Sequence, residues 1–310
     1  MTEKIKLTFL GTGSAVPTAK KNHPAILISY KSENCLFDCG EGTQRQFRKA
    51  KLNPCKLTKI FLTHWHGDHT LGLPGILQTL ILNGYNGTLE IHGPIGTEKN
   101  MGELISFNLA DYLKRSREYG TSLNIKVYEH KPGKIIETEE ILIESSSIDH
   151  NCRGLAYSFI IKEKNRIDKE KLNKLKIPNG PLVGELAKGK IISFNNKKID
   201  GKKLIYKEEQ RKICLITDTR YLEEFTTFAK NSDILICEST YAKDEKEMAE
   251  SHKHMTCTQA AKIAKKSKSK KLFLTHLSQR YEAVPKKILE EAKEIFKNVE
   301  VAEDLMSLEI

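Results

Sequence analysis

No apolar stretch in these 310 residues approaches the roughly 20 that a membrane-spanning helix requires, so the chain is expected to be soluble. Met1 to Leu10 lacks the long apolar core and small-residue cleavage site of a secretory signal, and a cytoplasmic location is expected. Cysteine is sparse and unpatterned: seven thiols at positions 35, 39, 55, 152, 214, 237 and 257 form no C-x-x-C pair. An odd number without a secretion signal argues against a disulfide framework and for reduced, mostly buried thiols, so cysteine is not expected to ligate a metal. No repeat of about 20 to 50 residues is visible, which excludes solenoids and propellers.

The composition present, 39% apolar with 29% charged, is that of a folded soluble protein. Length permits one large domain or two ordinary ones, and composition does not choose between them. Charge is more informative, because the excess of 51 Lys and Arg over 40 Asp and Glu is unevenly placed. Lys162 to Lys212 holds 16 basic and 7 acidic residues, a net +9 of the chain's +11. Such a segment suits a polyanion, although a lysine-rich solvated surface has the same composition.

Short apolar runs bounded by turn residues read as strands at Ile5 to Leu10, Ala25 to Tyr30, Cys35 to Asp38 and Lys59 to Thr63. Further strands are expected at Leu89 to His92, Ile125 to Glu129, Ile141 to Ser146 and Leu155 to Ile161. Later ones fall at Lys212 to Thr217, Ile234 to Glu238, Leu272 to Thr275 and Val299 to Ala302. Helices are expected around Phe47 and over Ile76 to Leu82, Gly102 to Glu118, Leu222 to Ala229, Thr258 to Lys266 and Val284 to Phe296. The rhythm breaks after Ile161, where charged residues lead into Pro178-Asn179-Gly180-Pro181. We expect one α/β domain of sheets covered by helices, with residues 163–203 inserted as a projecting basic arm.

The chemistry gathers in His64, Trp65, His66, Gly67, Asp68 and His69. His64 and His66 follow a strand, so in extended backbone their side chains project to one side and can share one metal. Gly67 permits a turn, after which Asp68 and His69 can reach a second. Four potential ligands in six residues point to a metal site, and two metals about 3.5–4 Å apart need still more donors. Returns are available at His150, Asp218 and His276, each just past the C-terminal end of an expected strand.

With these residues in place the chain resembles the metallo-beta-lactamase superfamily and, within it, the short-form tRNase Z endoribonucleases that trim transfer RNA 3′ ends. The resemblance rests on Leu36-Phe37-Asp38-Cys39-Gly40-Glu41-Gly42-Thr43-Gln44-Arg45-Gln46, Thr63 to His69, Leu73-Pro74-Gly75, Asp149-His150, Asp218-Thr219-Arg220 and Leu274 to Tyr281. It implies the metallo-beta-lactamase fold, a four-layer αββα sandwich, with two zinc ions per subunit. By position, His64, His66 and His150 would hold one zinc, Asp68, His69 and His276 the other, and Asp218 would bridge them, with Asp38 orienting ligands from behind. Asp68 would also orient the attacking water. Glu238 and His254 would act on the leaving group, although Cys237 and Met255 replace the family's usual histidine and serine beside them. Gly180-Pro181 would lie in the arm that grips precursor tRNA. The family also implies a homodimer.

Other features read blandly. His23, His92 and His130 stand apart from the strand-end motifs and are taken as structural. His252, two residues before His254, lacks the threonine spacing that His254 has with Thr256. Gly11-Thr12-Gly13 is not a dinucleotide loop, because Val16 stands where a third glycine belongs; the glycines are expected to shape a turn near the site. The competing functions are a same-fold hydrolase of small phosphodiesters, sulfates or thioesters, and an RNA-binding protein with a dead site.

Overall fold

The computed structural model describes residues 3–310 apart from 116, 117, 119, 179 and 196. The first six strands are β1 (Lys6–Gly11), β2 (Ala25–Tyr30), β3 (Glu33–Phe37), β4 (Lys59–Phe61), β5 (Thr88–Pro94) and β6 (Asn124–His130). There follow β7 (Gly133–Glu137), β8 (Ile141–Ser147) and β9 (Leu155–Ile161), then β10 (Lys164–Ile167), β11 (Ile191–Phe194), β12 (Lys197–Asp200) and β13 (Ile205–Glu208). The chain ends with β14 (Arg211–Ile216), β15 (Ile234–Glu238), β16 (Lys271–Thr275), β17 (Val299–Val301) and β18 (Ser307–Glu309).

Among the described residues these build two seven-stranded sheets, ordered β18-β1-β2-β3-β4-β5-β6 and β17-β16-β15-β14-β9-β8-β7. Strand alternation makes four layers. Cys35, Phe37, Ile213, Leu215, Ile234 and Ile236 face between the sheets, where they join Phe9, Phe61, Tyr157 and Phe273. Leu36 and Ile60 face outward under Phe47, Ile76, Leu77 and Leu80 of the helices Thr43–Lys49 and Leu73–Leu82. Cys214, Leu235 and Cys237 face the other way, under Ala260, Ile263 and Ala264 of the helix Cys257–Lys266. Every residue of β9 is buried, since a central strand of such a sandwich is covered on both faces.

Several boundaries match the expectation closely, including β2, β9 and β15. The helix expected over Gly102 to Glu118 instead begins at Thr97 and breaks after Asn108, where Leu109 leaves helical backbone at φ −128°, before the helix Ala110–Lys114. The end of that expected helix runs into residues outside those described. The helix expected over Leu222 to Ala229 shrinks to one turn, Phe225–Phe228. β7 and β18 were not foreseen: each is a short edge strand, half exposed, with too few apolar residues to signal itself.

The inserted segment has structure of its own. β10 pairs with β13 and β11 with β12, and Leu172, Ile177, Leu186 and Leu204 form a small separate core. The segment leaves the sandwich at Ile161 and returns at Arg211, which are paired neighbours in β9 and β14. Its root is therefore at the start of β14.

Direction decides where function can gather. β3, β4, β5 and β6 run parallel to one another, as do β14, β15, β16 and β17. β8 and β14 are each antiparallel to β9 and so share a direction. The loops after β3 and β4 meet those after β8, β14, β15 and β16 at one edge. Two bonds lock the sheets together there: the Tyr157 hydroxyl of β9 donates to the Leu62 carbonyl at 2.8 Å, and the Leu155 amide donates to the Thr63 carbonyl at 2.8 Å. Tyr157→Phe is expected to destabilise the fold by about 1–3 kcal/mol, because the buried Leu62 carbonyl loses its partner. A lower urea midpoint at unchanged slope is the result to look for.

Candidate metal centre

β4 delivers the chain into His64 through Leu62 and Thr63, both buried. His66 then precedes the single helical turn Gly67–Thr70, which swings Asp68 and His69 back under the first pair. This tight path needs space. An added Cβ on Gly40 would sit 2.3 Å from the Asp68 carbonyl oxygen, and one on Gly72 would sit 2.0 Å from the Gly40 carbonyl oxygen.

The expected site residues come together. His64, His66 and His150 can offer ligand atoms all within 4.8 Å of one another, as can Asp68, His69, Asp218 and His276. Asp218 stands between the two groups. Its Oδ1 lies 3.3 Å from His69 Nε2 and 3.2 Å from His276 Nε2, while its Oδ2 lies 3.9 Å from His64 Nε2. Asp38, Asp218 and His276 all adopt positive φ, 57°, 44° and 56°, a left-handed backbone costing about 1–3 kcal/mol per non-glycine residue. Three such residues ring one cleft edge.

Two buried relays aim the histidines. The Thr63 hydroxyl donates to Asp38 and accepts from His64 Nδ1–H at 3.1 Å, leaving His64 Nε2 to face the centre. Asp38 also accepts from His69 Nδ1–H at 2.7 Å and from the Thr63 amide at 2.7 Å. Across the cleft, the Thr240 hydroxyl donates to Glu238 at 2.8 Å and accepts from His276 Nδ1–H at 3.0 Å. Each threonine thus couples a buried carboxylate to a histidine and fixes its tautomer. The motif around Thr240 was visible in the sequence, but this coupling was not.

The donor set fits a cation. His64 Nε2, His69 Nε2 and Asp218 Oδ1 are buried without a hydrogen bond, which is costly unless something positive satisfies them. His150 Nε2 lies 3.2 Å from His66 Nδ1. Burial, and then the neighbouring His69, push His64 well below the ordinary imidazole range, and burial also lowers His150, which favours the neutral form that metal binding would need. Burial works against ionised Asp68, yet hydrogen bonds from His276 and His69 hold it well below the ordinary carboxylate range.

Glu238 and His254 form a separate dyad on one side. Glu238 is fully buried and accepts from the Thr219 amide at 2.7 Å and the Met255 amide at 3.1 Å, besides Thr240. Its Oε1 also lies 3.0 Å from His254 Nδ1. Burial opposes charge on His254, but the Glu238 carboxylate outweighs it and raises the imidazole to about 9. His254 is near enough to His150 and Asp218 to act as a ligand, while its Nδ1 is engaged by Glu238. The Cys237 and Met255 replacements leave this dyad intact: Cys237 packs on the opposite, helix-covered face, and Met255 contributes its amide to Glu238.

The remaining histidines stay outside. His252 is exposed and bonds Met248. His92 and His130 pair at 2.9 Å, with His92 stacked between Phe61 and Tyr128, and His23 bonds the Ala15 carbonyl. The glycine turn does adjoin the site, as the Thr12 carbonyl accepts from the His276 amide at 3.0 Å.

Residues 5–171 match the family model described as anti-Pycsar protein Apyc1, which ends inside the arm. A longer match runs through the arm to the His276 strand: ribonuclease Z of Listeria monocytogenes is 38% identical over 316 residues, covering 99% of each chain. The chain belongs to the ribonuclease Z family. The solved short form of human tRNase Z shares 26% identity at a TM-score of 0.64, covering 98% of each chain. The metallo-beta-lactamase fold protein YhfI of Bacillus subtilis, at 20% identity, superimposes with a TM-score of 0.70 over both full chains. The four layers are thus the metallo-beta-lactamase fold that ribonuclease Z relatives also adopt. In this ribonuclease Z family member, Asp38→Asn is expected to weaken metal affinity about 10- to 100-fold while the fold persists. Chelator competition monitored beside far-UV circular dichroism measures both.

Proposed function

We propose that this chain is a zinc-dependent endoribonuclease that removes the 3′ trailer from precursor tRNA, leaving a tRNA 3′-hydroxyl and a 5′-phosphorylated trailer. The observation that carries the reading is the pairing of two adjacent donor groups, joined at Asp218, with the Glu238–His254 dyad beside them. His64, His66 and His150 would hold one zinc, and Asp68, His69 and His276 the other, with Asp218 shared. When bound, the two cations supply Lewis-acid charge for phosphate oxygens and ease deprotonation of water.

The chain's own residues do the rest. Asp68, ionised at the mouth of the donor set, orients the attacking water. Glu238 holds His254 by Nδ1 and keeps it charged, so that the other ring nitrogen can deliver a proton to the departing 3′ oxygen. A dead-site RNA-binding protein would have no use for so complete a set.

Substrate choice rests on the arm, residues 163–203, whose lysines suit phosphates and whose Gly180 and Pro181 are exposed at the start of the helix Pro181–Ala187. The arm is rooted at the start of β14, whereas Asp218 lies past its other end. That separation supports a homodimer in which one subunit's arm serves its partner's site. Among the described residues no helix is long and apolar enough to cross a membrane.

Two measurements test this. His254→Ala should keep its zinc and bind precursor tRNA normally while cleaving it about 10²- to 10⁴-fold more slowly; loss of zinc would mean that His254 is a ligand instead. Ile167 faces Ile205 across the β10–β13 ladder, so residues 168–204 can be replaced by a short turn. This variant should lose precursor cleavage yet retain hydrolysis of bis(p-nitrophenyl) phosphate, and equal loss of both would refute a separate RNA-gripping arm.

A further inference from the structure

The rim of the site carries a set of contacts that the proposed cleavage does not use. Lys253, immediately before His254, accepts His150 Nδ1–H on its carbonyl at 3.2 Å. Its ammonium returns to the same residue, donating to the His150 carbonyl at 3.2 Å, and lies 3.0 Å from Asp149 Oδ1. Asp149 Oδ2 accepts from Arg220 Nε at 2.6 Å, and the Asp149 amide donates to the Thr219 hydroxyl at 2.9 Å. Three loops, bearing His150, Asp218 and His254, are tied at this point.

Lys253 also sits at φ 55°, in left-handed backbone that disfavours any residue with a Cβ. Glycine or asparagine would relieve that cost but would lose the ammonium. The side chain is only one-third exposed and is committed to its own loops, not extended into solvent.

We propose that Lys253 is a positioning residue for the cleavage reaction, clasping the loop of the leaving-group histidine to the loop of the metal-ligating histidine. The clasp holds the His254 and His150 rings with their centroids 5.0 Å apart, so proton donor and metal site move as one unit. Its carbonyl selects the His150 tautomer with Nε2 facing the centre, and its ammonium, donating to the His150 carbonyl, holds the two loops together. The inference rests on the reading of His254 as proton donor.

Lys253→Met, which keeps the aliphatic stem, and Lys253→Arg are compared with wild type in the zinc-loaded enzyme. Wild-type cleavage of precursor tRNA is read first, and its absence overturns the proposed function. The clasp predicts that Lys253→Met lowers kcat about tenfold on both precursor tRNA and bis(p-nitrophenyl) phosphate, with KM for the RNA unchanged and thermal melting preserved. Zinc loss to a chelator should quicken, a readout independent of RNA, and Lys253→Arg should restore both properties. Unchanged kcat with unchanged zinc loss overturns the clasp. So does a raised KM for precursor tRNA with normal turnover of the small ester, which would make Lys253 a phosphate contact.

Discussion

A buried carboxylate between two clusters of imidazoles is the constraint around which the rest of the molecule is arranged. Asp218 is almost wholly buried, sits in left-handed backbone, and turns one oxygen toward His69 and His276 and the other toward His64. A carboxylate cannot stay ionised in that position without compensating charge. The neighbouring imidazoles lower its pKa well below the ordinary range against the effect of burial. The proposed pair of cations would complete that compensation.

Holding this carboxylate in place requires both sheets. The loop after β14 carries Asp218, and the run after β4 carries His64 to His69. Tyr157 and Leu155 bind the second sheet to Leu62 and Thr63, where that run begins. Asp38 and Glu238 then act from opposite sides through Thr63 and Thr240, each fixing a histidine by its Nδ1. The result is a set of potential donors drawn from segments more than 200 residues apart, with the Glu238–His254 dyad built into the same hydrogen-bonded network.

How much of this was legible in the sequence depended on range. The cluster His64 to His69 is local, so spacing alone exposed it, and apolar runs bounded by turn residues marked β2, β9 and β15 well. The later donors at His150, Asp218 and His276 were suggested by their shared place after strands. Left-handed backbone at Asp38 and Asp218 was hidden, because no glycine or asparagine announces it. The bond from Tyr157 to Leu62 and the clasp at Lys253 join residues about a hundred positions apart, which no local pattern encodes. The arm read as a charged projection because its core consists of a few scattered apolar residues, Leu172, Ile177, Leu186 and Leu204, without periodicity.

In the proposed reaction a centre shared through Asp218 cuts precursor tRNA. The most direct measurement is a titration of metal-free protein with zinc while cleavage of end-labelled precursor tRNA is followed. The expected result is turnover that saturates at two zinc ions per subunit and yields a tRNA ending in a 3′-hydroxyl. Saturation at one zinc, cleavage without metal, or a phosphate left on the tRNA 3′ end would contradict it.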